Sequence, residues 1–200
     1  MKPEITDINQ LDLNKTYTYA DYLTWKFSER VELIKGWVYK MSPAPRRIHQ
    51  KVESNLHIEI GSFFKNSKCD VYESPFDVRL IKNKGQSDHE IETVVQPDIC
   101  VICDLDKLDD KGCVGAPDLI IEILSPSTIK KDYTEKFNLY EENGVKEYWI
   151  ANPEGRSLQI FYLNNGKYEE LETYEEKEDT ITSKLFPDLK IKMVDVFEYS

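Results

Sequence analysis

The stretch GAPDLIIEILSPST, residues 115–128, places two carboxylates in an otherwise apolar segment. Such a run is typical of a strand buried on both faces of a sheet. Inside it, the carboxylate of Glu122 is surrounded by five aliphatic residues: Leu119, Ile120, Ile121, Ile123 and Leu124. An ionised carboxylate is costly in such a place unless a cation neutralises it. The segment therefore predicts a core strand and raises the question of which group compensates the charge of Glu122.

The chain has 200 residues, of which 40% are hydrophobic and 12% aromatic, as expected for one globular domain spanning residues 1–200. No segment approaches the roughly eighteen consecutive apolar residues that a membrane helix needs. The first ten residues, MKPEITDINQ, lack the apolar core of a signal peptide. We therefore expect a cytoplasmic protein without a membrane segment.

The formal net charge is −11 and the pI is about 4.9. A uniformly acidic surface repels nucleic acid, which counts against a DNA-binding role without excluding it. A local basic patch, or a divalent cation held by carboxylates, would offset the repulsion. Arg46, Arg47 and Lys51 form a small basic cluster, either a phosphate-contacting patch or an ordinary solvated start of a helix.

Periodicity along the first half of the chain predicts a hairpin, a helix and then strands. Residues 30–41 alternate around Lys35 and Gly36, a hairpin signal. Apolar residues recur at helical spacing across 48–64. Strands are predicted at 69–81, interrupted at Pro75, and at 94–103 and 117–124, the last being the most buried.

A second helix is predicted after Thr128. Asp132 and Glu135 stand three residues apart, a capping-box pattern that makes Asp132 the N-cap, and Gly144 is a plausible C-cap residue. Two further strands follow in KEYWIAN and SLQIFYL. The overall order of helix, strands, helix and strands predicts a mixed α/β domain around one central sheet.

Two carboxylates lie in neighbouring predicted strands. Asp98 is in QPDI, and Glu122 is in the next buried strand along the chain. Neighbouring strands lie about 4.8 Å apart, so the two side chains can converge. Close carboxylates shielded from water cannot both stay ionised without a counter-charge, and a hard divalent cation supplies one. We therefore expect Asp98 and Glu122 to hold Mg²⁺ or Mn²⁺.

A lysine is expected to complete this site. With Asp132 as N-cap, Lys136 falls one turn into the helix, from which its ammonium can fold back toward the carboxylates. Lys130 and Lys131 are the alternatives. Asp, Glu and Lys around a metal ion are a minimal set for phosphodiester hydrolysis: the ion activates water, and the lysine orients it or offsets developing charge.

The chain also resembles a known family in several separate segments. The matching pieces occur in family order over about residues 18–197: VELIKG, MSPAP with His49 after it, PFDVRL, VVQPDICVI, GAPDLIIEILSPST, DYTEKFNLYEENGVKEYWIANP and FPDLKIKMVDVF. Together they resemble the restriction endonuclease-like proteins of the Uma-two family, within the PD-(D/E)XK nuclease superfamily.

The resemblance implies a restriction-endonuclease-like core, with a mixed central β-sheet flanked by helices and additional β-hairpins. It implies Asp98 and Glu122 as metal ligands in an endonuclease acting on DNA. Leu124 stands where the lysine of the superfamily's E-x-K element would be, and in this family the lysine is thought to come from the following helix, which points to Lys136. Glu32 and His49 match family positions and are auxiliary candidates.

Two other classes of function remain open. The chain is either an enzyme or a catalytically silent nuclease-fold protein that binds nucleic acid or a protein partner; by analogy with nucleases that cut both strands, a homodimer is possible. A thiol–metal protein built on Cys100 and Cys103 is the weaker alternative. In a strand these two residues point to opposite faces, and no second C-x-x-C or histidine pair completes a zinc site, so buried reduced thiols are favoured.

Simpler roles also compete at single residues. Asp118 fits a turn or edge position better than a ligand position. Glu32 alternates with apolar neighbours as an exposed strand residue would, and a lone histidine such as His49 is usually a satisfied surface or cap residue. The following aromatic residues are most simply core: Tyr140, Tyr148, Trp149, Phe161 and Tyr162.

Overall fold

The structure, a computed structural model, describes residues 4–41, 46–175 and 177–198. Residues 42–45, which carry most of the MSPAP motif, lie outside this range. The helices are α1 (Tyr19–Tyr22), α2 (Arg47–Phe64), α3 (Ile129–Lys131), α4 (Phe137–Asn143) and α5 (Met193–Phe197). The strands are β1 (Val31–Ile34), β2 (Trp37–Lys40), β3 (Asp70–Glu73), β4 (Val78–Arg79), β5 (Val94–Val95), β6 (Ile99–Ile102), β7 (Leu108–Asp109), β8 (Gly112–Val114), β9 (Leu119–Ile123), β10 (Glu147–Asn152), β11 (Ser157–Asn164), β12 (Lys167–Tyr174), β13 (Thr180–Thr182) and β14 (Lys190–Lys192).

The central sheet has six strands in the order β12-β11-β10-β9-β6-β3. The strands β9 and β10 pair in parallel, whereas β9 and β6 pair antiparallel, so the sheet is mixed as predicted. A parallel neighbour requires a crossover connection, and the helical segment between β9 and β10 supplies it. Every residue of β9 is buried, which confirms the reading of LIIEI as a core strand.

A second six-stranded sheet, in the order β2-β1-β5-β4-β8-β7, was not predicted from the sequence. It arises because two predicted strands are each divided at a proline. The segment around Pro75 contributes β3 to the central sheet and β4 to the second, and the segment around Pro97 contributes β5 to the second sheet and β6 to the central one. Proline lacks the N–H that a continuous ladder needs. The chain therefore crosses between the sheets at both points.

The central sheet is covered on both faces. One face packs against α2 and α5 through a cluster that includes Val52, Leu56 and Val196. The apolar periodicity of the first long helix is thus confirmed, since α2 buries Val52, Leu56, Ile60 and Phe64. The other face packs against α4 and the second sheet. Each fully buried aliphatic side chain in these layers stabilises the fold by about 1.5–3 kcal/mol.

The helical segment after β9 begins earlier than predicted. α3 starts at Ile129, and Asp132 lies inside the segment, buried, as the first residue of a π-helical turn from Asp132 to Lys136. The prediction of Asp132 as N-cap is wrong, because the turn formed by Ser125 and Thr128 already starts the helical hydrogen bonding: the Ile129 N–H donates to the Ser125 carbonyl at 3.2 Å. The predicted end is confirmed, with Gly144 at a φ of 82°.

The prediction that Cys100 and Cys103 are buried reduced thiols is confirmed for Cys100 and wrong for Cys103. Cys69 and Cys103 form a disulfide, while Cys100 and Cys113 are free and buried. Cys100 packs into the core between the sheets and Cys103 against the α2 side, so the two residues point to opposite faces as predicted. The thiol–metal alternative is therefore excluded for this pair.

Among the helices of the described ranges, none has the length and apolar character needed to cross a bilayer.

Candidate active site

The counter-charge of Glu122 is the ammonium of Lys136. Lys136 Nζ lies 2.7 Å from Glu122 Oε1 and 3.1 Å from Glu32 Oε1, and all three side chains are almost fully buried. Glu122 comes from β9 in the central sheet and Glu32 from β1 in the second sheet. One buried cation thus joins two carboxylates from the two sheets.

Three further groups complete the contacts of these carboxylates. Lys131 Nζ forms an ion pair with Glu32 Oε2, and the backbone N–H of Gln96 donates to Glu32 Oε1 at 2.9 Å. The Tyr140 hydroxyl donates to Glu122 Oε1 at 2.6 Å. Both glutamates are therefore hydrogen-bonded, as buried charges require. Tyr140 is more than the core residue expected from the sequence, since its hydroxyl belongs to the site.

Of the three candidate lysines, Lys136 and Lys131 lie at the site, whereas Lys130 is exposed. Glu32 is fully buried, so the simpler interpretation of an exposed strand residue is wrong. Asp132 and Lys136 are both buried and lie four residues apart, at the two ends of the π-helical turn. π-helical turns within helices are frequent at functional sites. The Tyr148 hydroxyl donates to the Asp132 carbonyl at 3.1 Å within this irregular turn.

The two glutamates differ in acidity. Burial opposes the ionisation of Glu32, but Lys136, Lys131 and the hydrogen bonds lower its pKa to about 2. Burial raises the pKa of Glu122 to about 8, and although Lys136 counteracts this, the charges of Asp132 and Asp98 add to the increase. The pKa of Lys136 stays above its ordinary value because Glu122 and Glu32 outweigh the effect of burial. Burial is thus the main reason that Glu122 is the less acidic of the two glutamates.

Asp98 lies in the turn before β6 rather than inside a strand, and this part of the prediction is wrong. The reason is the crossing at Pro97, which ends β5 in one sheet before β6 begins in the other. Asp98 Oδ2 accepts a hydrogen bond from the backbone N–H of Ile123 at 2.7 Å. This contact holds the carboxylate beside the end of β9 that carries Glu122, with 18% of the Asp98 side chain exposed.

Two side chains of α2 face Asp98. His49 Nε2 lies 3.4 Å from Asp98 Oδ2, and His49 Nδ1 lies 3.7 Å from Glu53 Oε2. His49, Glu53 and Asp98 each offer one ligand atom, and these atoms lie within 4.8 Å of one another. Among the described residues this is the group of three or more such side chains that is close enough for one cation, and Glu122 is not part of it.

The acidity of these side chains reflects their mutual proximity. Burial and the charge of Asp98 raise the pKa of Glu53 to about 7, although His49 lowers it. Burial alone would lower the pKa of His49, but the hydrogen bond and charge of Asp98 and the charge of Glu53 raise it. Glu53 was missed in the sequence. Its position four residues after His49, on the same face of the first long helix, was the available signal.

Arg30 lies at the rim of the site. Its Nε and Nη2 donate to Gln96 Oε1 at 3.0 and 2.6 Å, and Nη2 also donates to Ser74 Oγ. The Ser74 N–H in turn donates to the Asp98 carbonyl at 3.0 Å. The exposed guanidinium also lies close enough to Glu53 to affect its acidity. A cation with free surface is thus fixed next to the carboxylates.

Other sequence candidates lie outside this arrangement. Asp118, just before β9, is buried, pairs with Lys146 at 2.6 Å and accepts a hydrogen bond from the Cys103 N–H. Arg46 forms an ion pair with Glu154, while Arg47 and Lys51 are exposed. This agrees with a solvated start of α2. The expected core aromatics Tyr148, Trp149 and Phe161 are buried, and Tyr162 is partly exposed.

The comparisons with known proteins assign this mixed α/β fold to a nuclease-like class. The model of the Uma2 (Uma-two) family, described as "Putative restriction endonuclease", matches residues 19–194. The chain belongs to this family.

Two known proteins are similar to this chain, one in sequence and one in structure. The uncharacterized protein slr1290 of Synechocystis sp. is 22% identical over 148 residues, which are 72% of this chain and 73% of that protein. A crystal structure described as a "putative nuclease belonging to DUF820" from Anabaena variabilis superimposes with a TM-score of 0.68 at 19% identity, covering 90% of this chain and 97% of that chain. This likeness confirms the predicted fold class.

Proposed function

We propose that the protein is a metal-dependent endonuclease that hydrolyses phosphodiester bonds in DNA. The observation that carries the proposal is the bridge from Lys136 to Glu122 and Glu32, with Asp98 held at the same end of β9. The bridge places a buried ammonium and carboxylates from separate sheets at one point, beside a carboxylate that solvent reaches. The family's description and the nuclease with the same fold support the proposal.

The donor set fits a hard divalent cation. Asp98 and Glu122 would hold Mg²⁺ or Mn²⁺, since both ions prefer oxygen ligands. When bound, the ion supplies Lewis-acid polarisation of the phosphate and a bound water of lowered pKa.

The chain's own residues position the charged groups of the site and stabilise the charge that develops during the reaction. Lys136 places a fixed positive charge next to the carboxylates, where negative charge develops on the phosphate during attack by water. Glu32 and Tyr140 restrict the movement of Lys136 and Glu122 through their hydrogen bonds. Arg30 presents its guanidinium at the exposed rim, where it is suited to a phosphate of the DNA backbone. This local positive charge offsets the repulsion between DNA and a protein with a net charge of −11.

The test is a cleavage assay on plasmid, linear duplex, single-stranded DNA and RNA, with Mg²⁺, Mn²⁺ or EDTA. We expect DNA cleavage by the wild type with either ion and none in EDTA. Asp98→Asn and Glu122→Gln should lower the rate by about 100-fold or more. Because Asp98 is partly exposed, Asp98→Asn is the variant that best preserves the fold.

The matched control is Asp118→Asn. It also removes a buried, lysine-paired carboxylate of the same strand region, but at the opposite end of β9, and should cleave at close to the wild-type rate. Wild-type rates for Asp98→Asn, or no cleavage by folded wild type with either ion, would contradict the proposal. The second result would favour a nuclease-fold protein that binds without cutting.

We also include a homodimer in the proposal, because cutting both strands of a duplex at one place takes two such sites. Light scattering coupled to size-exclusion chromatography, with and without DNA, measures the mass directly. A monomer in both conditions would limit the proposed activity to nicking or to single strands.

A further inference from the structure

A cavity of about 500 Å³ lies outside the candidate active site. Its walls come from the segment between β3 and β4 and from the hairpin of β7 and β8. Cavities that bind small molecules measure roughly 300–1,000 Å³, so this one has the size of a ligand site. None of the residues placed in the candidate active site lines it, and the proposed hydrolysis does not use it.

One wall of the cavity is aromatic. The rings of Tyr72 and Phe76 lie almost parallel, with centroids 4.1 Å apart and an interplanar angle of 9°, and both line the cavity. Both side chains are partly exposed, and the Tyr72 hydroxyl donates to Asp70 Oδ2 at 3.3 Å. The faces of such rings attract flat groups and positive charge. This wall therefore suits a flat cation.

The cavity also carries carboxylates, and the protein neutralises only one of them. Asp109 accepts from the buried guanidinium of Arg79, whose Nη1 lies 3.0 Å from Asp109 Oδ2. Asp77 and Asp110 also line the cavity, and neither forms an ion pair with a lysine or arginine of the described residues. A ligand that enters the cavity thus meets negative charge without a counter-charge.

The spacing of these carboxylates argues against a metal ion. Among the described residues, the group of three metal-ligating side chains that come within 4.8 Å of one another lies elsewhere in the fold. A delocalised organic cation fits better, because it can bond to a carboxylate through two N–H groups while its face stacks on a ring. The protein makes this pair of contacts itself: the guanidinium of Arg79 lies 5.2 Å from the centroid of the Tyr19 ring and binds Asp109 through two nitrogens.

We propose that this cavity binds a small planar organic cation, an amidinium or guanidinium compound. The ligand stacks on the wall formed by Tyr72 and Phe76 and pairs with the carboxylates of Asp77 and Asp110. Asp77 has an oxygen for this contact. Its bonds from the Gln96 amide, at 2.8 Å, and from a tyrosine hydroxyl, at 3.2 Å, are both made to Oδ1, and no described residue donates to Oδ2.

Gln96 connects the cavity to the candidate active site. Its Nε2 donates to Asp77 Oδ1, its Oε1 accepts from Arg30 Nε at 3.0 Å, and its backbone N–H donates to Glu32 Oε1 at 2.9 Å. A cation on Asp77 draws that carboxylate into the cavity and so moves Gln96 and the guanidinium of Arg30. That this movement alters contacts with DNA rests on the proposed function, whereas the binding of the ligand does not.

The experiment is a titration of the full chain with benzamidine, followed by ¹H–¹⁵N nuclear magnetic resonance at Gly112, which lines the cavity. Benzamide, which is flat but neutral, and benzylamine, which is charged but not delocalised, are the matched ligands. We expect benzamidine to bind about tenfold more tightly than either. Asp77→Asn and Asp110→Asn should each weaken its binding by about fivefold, and Phe76→Ala should weaken it by about threefold.

The matched control variant is Asp106→Asn. It removes the same charge from an exposed position four residues before Asp110, outside the cavity, and should bind benzamidine as the wild type does. Absence of saturable shifts with benzamidine, or equal affinity for benzamidine and benzamide, would overturn the proposal. Equal affinity for benzylamine would refute its planar part. If Asp77→Asn does not fold, the exposed Asp110 decides, and unchanged affinity in Asp110→Asn is equally negative.

The link to the candidate active site has its own measurement. Benzamidine should shift the Arg30 Nε–H resonance in the wild type but not in Gln96→Ala, and an unmoved resonance with the cavity filled would disprove the link. The proposal is separable from the proposed nuclease. A chain that binds benzamidine but cleaves no DNA contradicts the proposed function alone, and a chain that cleaves DNA without binding benzamidine contradicts this proposal alone.

Discussion

The ammonium of Lys136 lies 2.7 Å from Glu122 Oε1 in an environment closed to solvent on both sides of the pair. The same ammonium lies 3.1 Å from Glu32 Oε1, and the low pKa of Glu32 keeps that buried carboxylate ionised at pH 7. Removing one partner of a buried ion pair typically costs about 3–5 kcal/mol. We therefore expect Lys136→Met to lower the free energy of unfolding by about that amount, measured by urea denaturation at pH 7.

The double variant Glu122→Gln with Lys136→Met tests whether this loss comes from the pair. Its destabilisation should be smaller than the sum of the two single losses, because no carboxylate of β9 is then left unpaired. Lys146→Met is the control: Lys146 also pairs with a buried carboxylate but is 57% exposed, so its loss should cost about 1 kcal/mol or less. Additive effects of the Glu122 and Lys136 substitutions would show that the pair is not coupled.

Glu53 makes the stability of the metal-free protein depend on pH. Its pKa is raised to about 7 in the folded state, because burial and Asp98 outweigh His49. The stability that this group contributes is fully present below its unfolded pKa of about 4.5 and is lost as the pH rises through about 7. Relative to wild type, Glu53→Gln should therefore gain stability between pH 5 and pH 8, by on the order of 1–3 kcal/mol.

Urea unfolding in EDTA at several pH values measures this difference. Glu59→Gln, a substitution on the same helix outside the site, is the control and should follow the wild type. A difference between Glu53→Gln and wild type that stays constant from pH 5 to pH 8 would contradict the assignment.

Arg30 is expected to contact the DNA backbone. In the Asp98→Asn background, which blocks cleavage, Arg30→Ala should weaken the binding of all duplex sequences about equally. It should also reduce the slope of log K against log salt concentration by about 1. Fluorescence anisotropy between 50 and 200 mM salt, in roughly the range where such contacts dominate, gives both quantities. The control is Lys190→Ala, which removes an exposed lysine of the two-stranded sheet and should leave the slope unchanged. If Arg30→Ala and Lys190→Ala reduce the slope equally, Arg30 makes no particular contact with the DNA backbone.

The disulfide between Cys69 and Cys103 closes a loop with a sequence separation of 34 residues. A cross-link of this span restricts the unfolded chain and stabilises the fold by about 3–4 kcal/mol in the chain-entropy model. Reduction with dithiothreitol should lower the free energy of unfolding by about this amount. In the double variant Cys69→Ser with Cys103→Ser, dithiothreitol should not change the free energy of unfolding. If it lowers the free energy of unfolding of that variant as well, the reductant does not act through this disulfide.

The sequence predicted those features that depend on local pattern. The hairpin of β1 and β2, the helix α2 and the buried strand β9 each follow from periodicity or turn residues within one element. The partnership of Glu122 with Lys136 was also predicted, although the starting point of the helix was wrong. Lys136 lies in a π-helical turn of a helical segment that begins at Ile129, and Asp132 does not cap that segment.

The features that escaped prediction are non-local. Whether a strand continues past Pro97 or changes sheets depends on which surfaces are available for pairing, and no local pattern encodes this. Asp98 was therefore placed in a strand although it lies in a crossing turn. Glu53 was missed because its partner Asp98 is 45 positions away in the sequence, and its position on α2 is typical of a solvated helix face.

The chain crosses from one sheet to the other at residues 96–98, with Glu32 on one side of the crossing and Glu122 on the other. The central sheet and its crossover helix carry Asp98, Glu122 and Lys136, but Glu32, which fixes the ammonium of Lys136, comes from the second sheet. A partly folded chain in which only one layer has formed therefore lacks the complete bridge. Under the proposed function, full cutting ability would require both layers to be folded around this bridge.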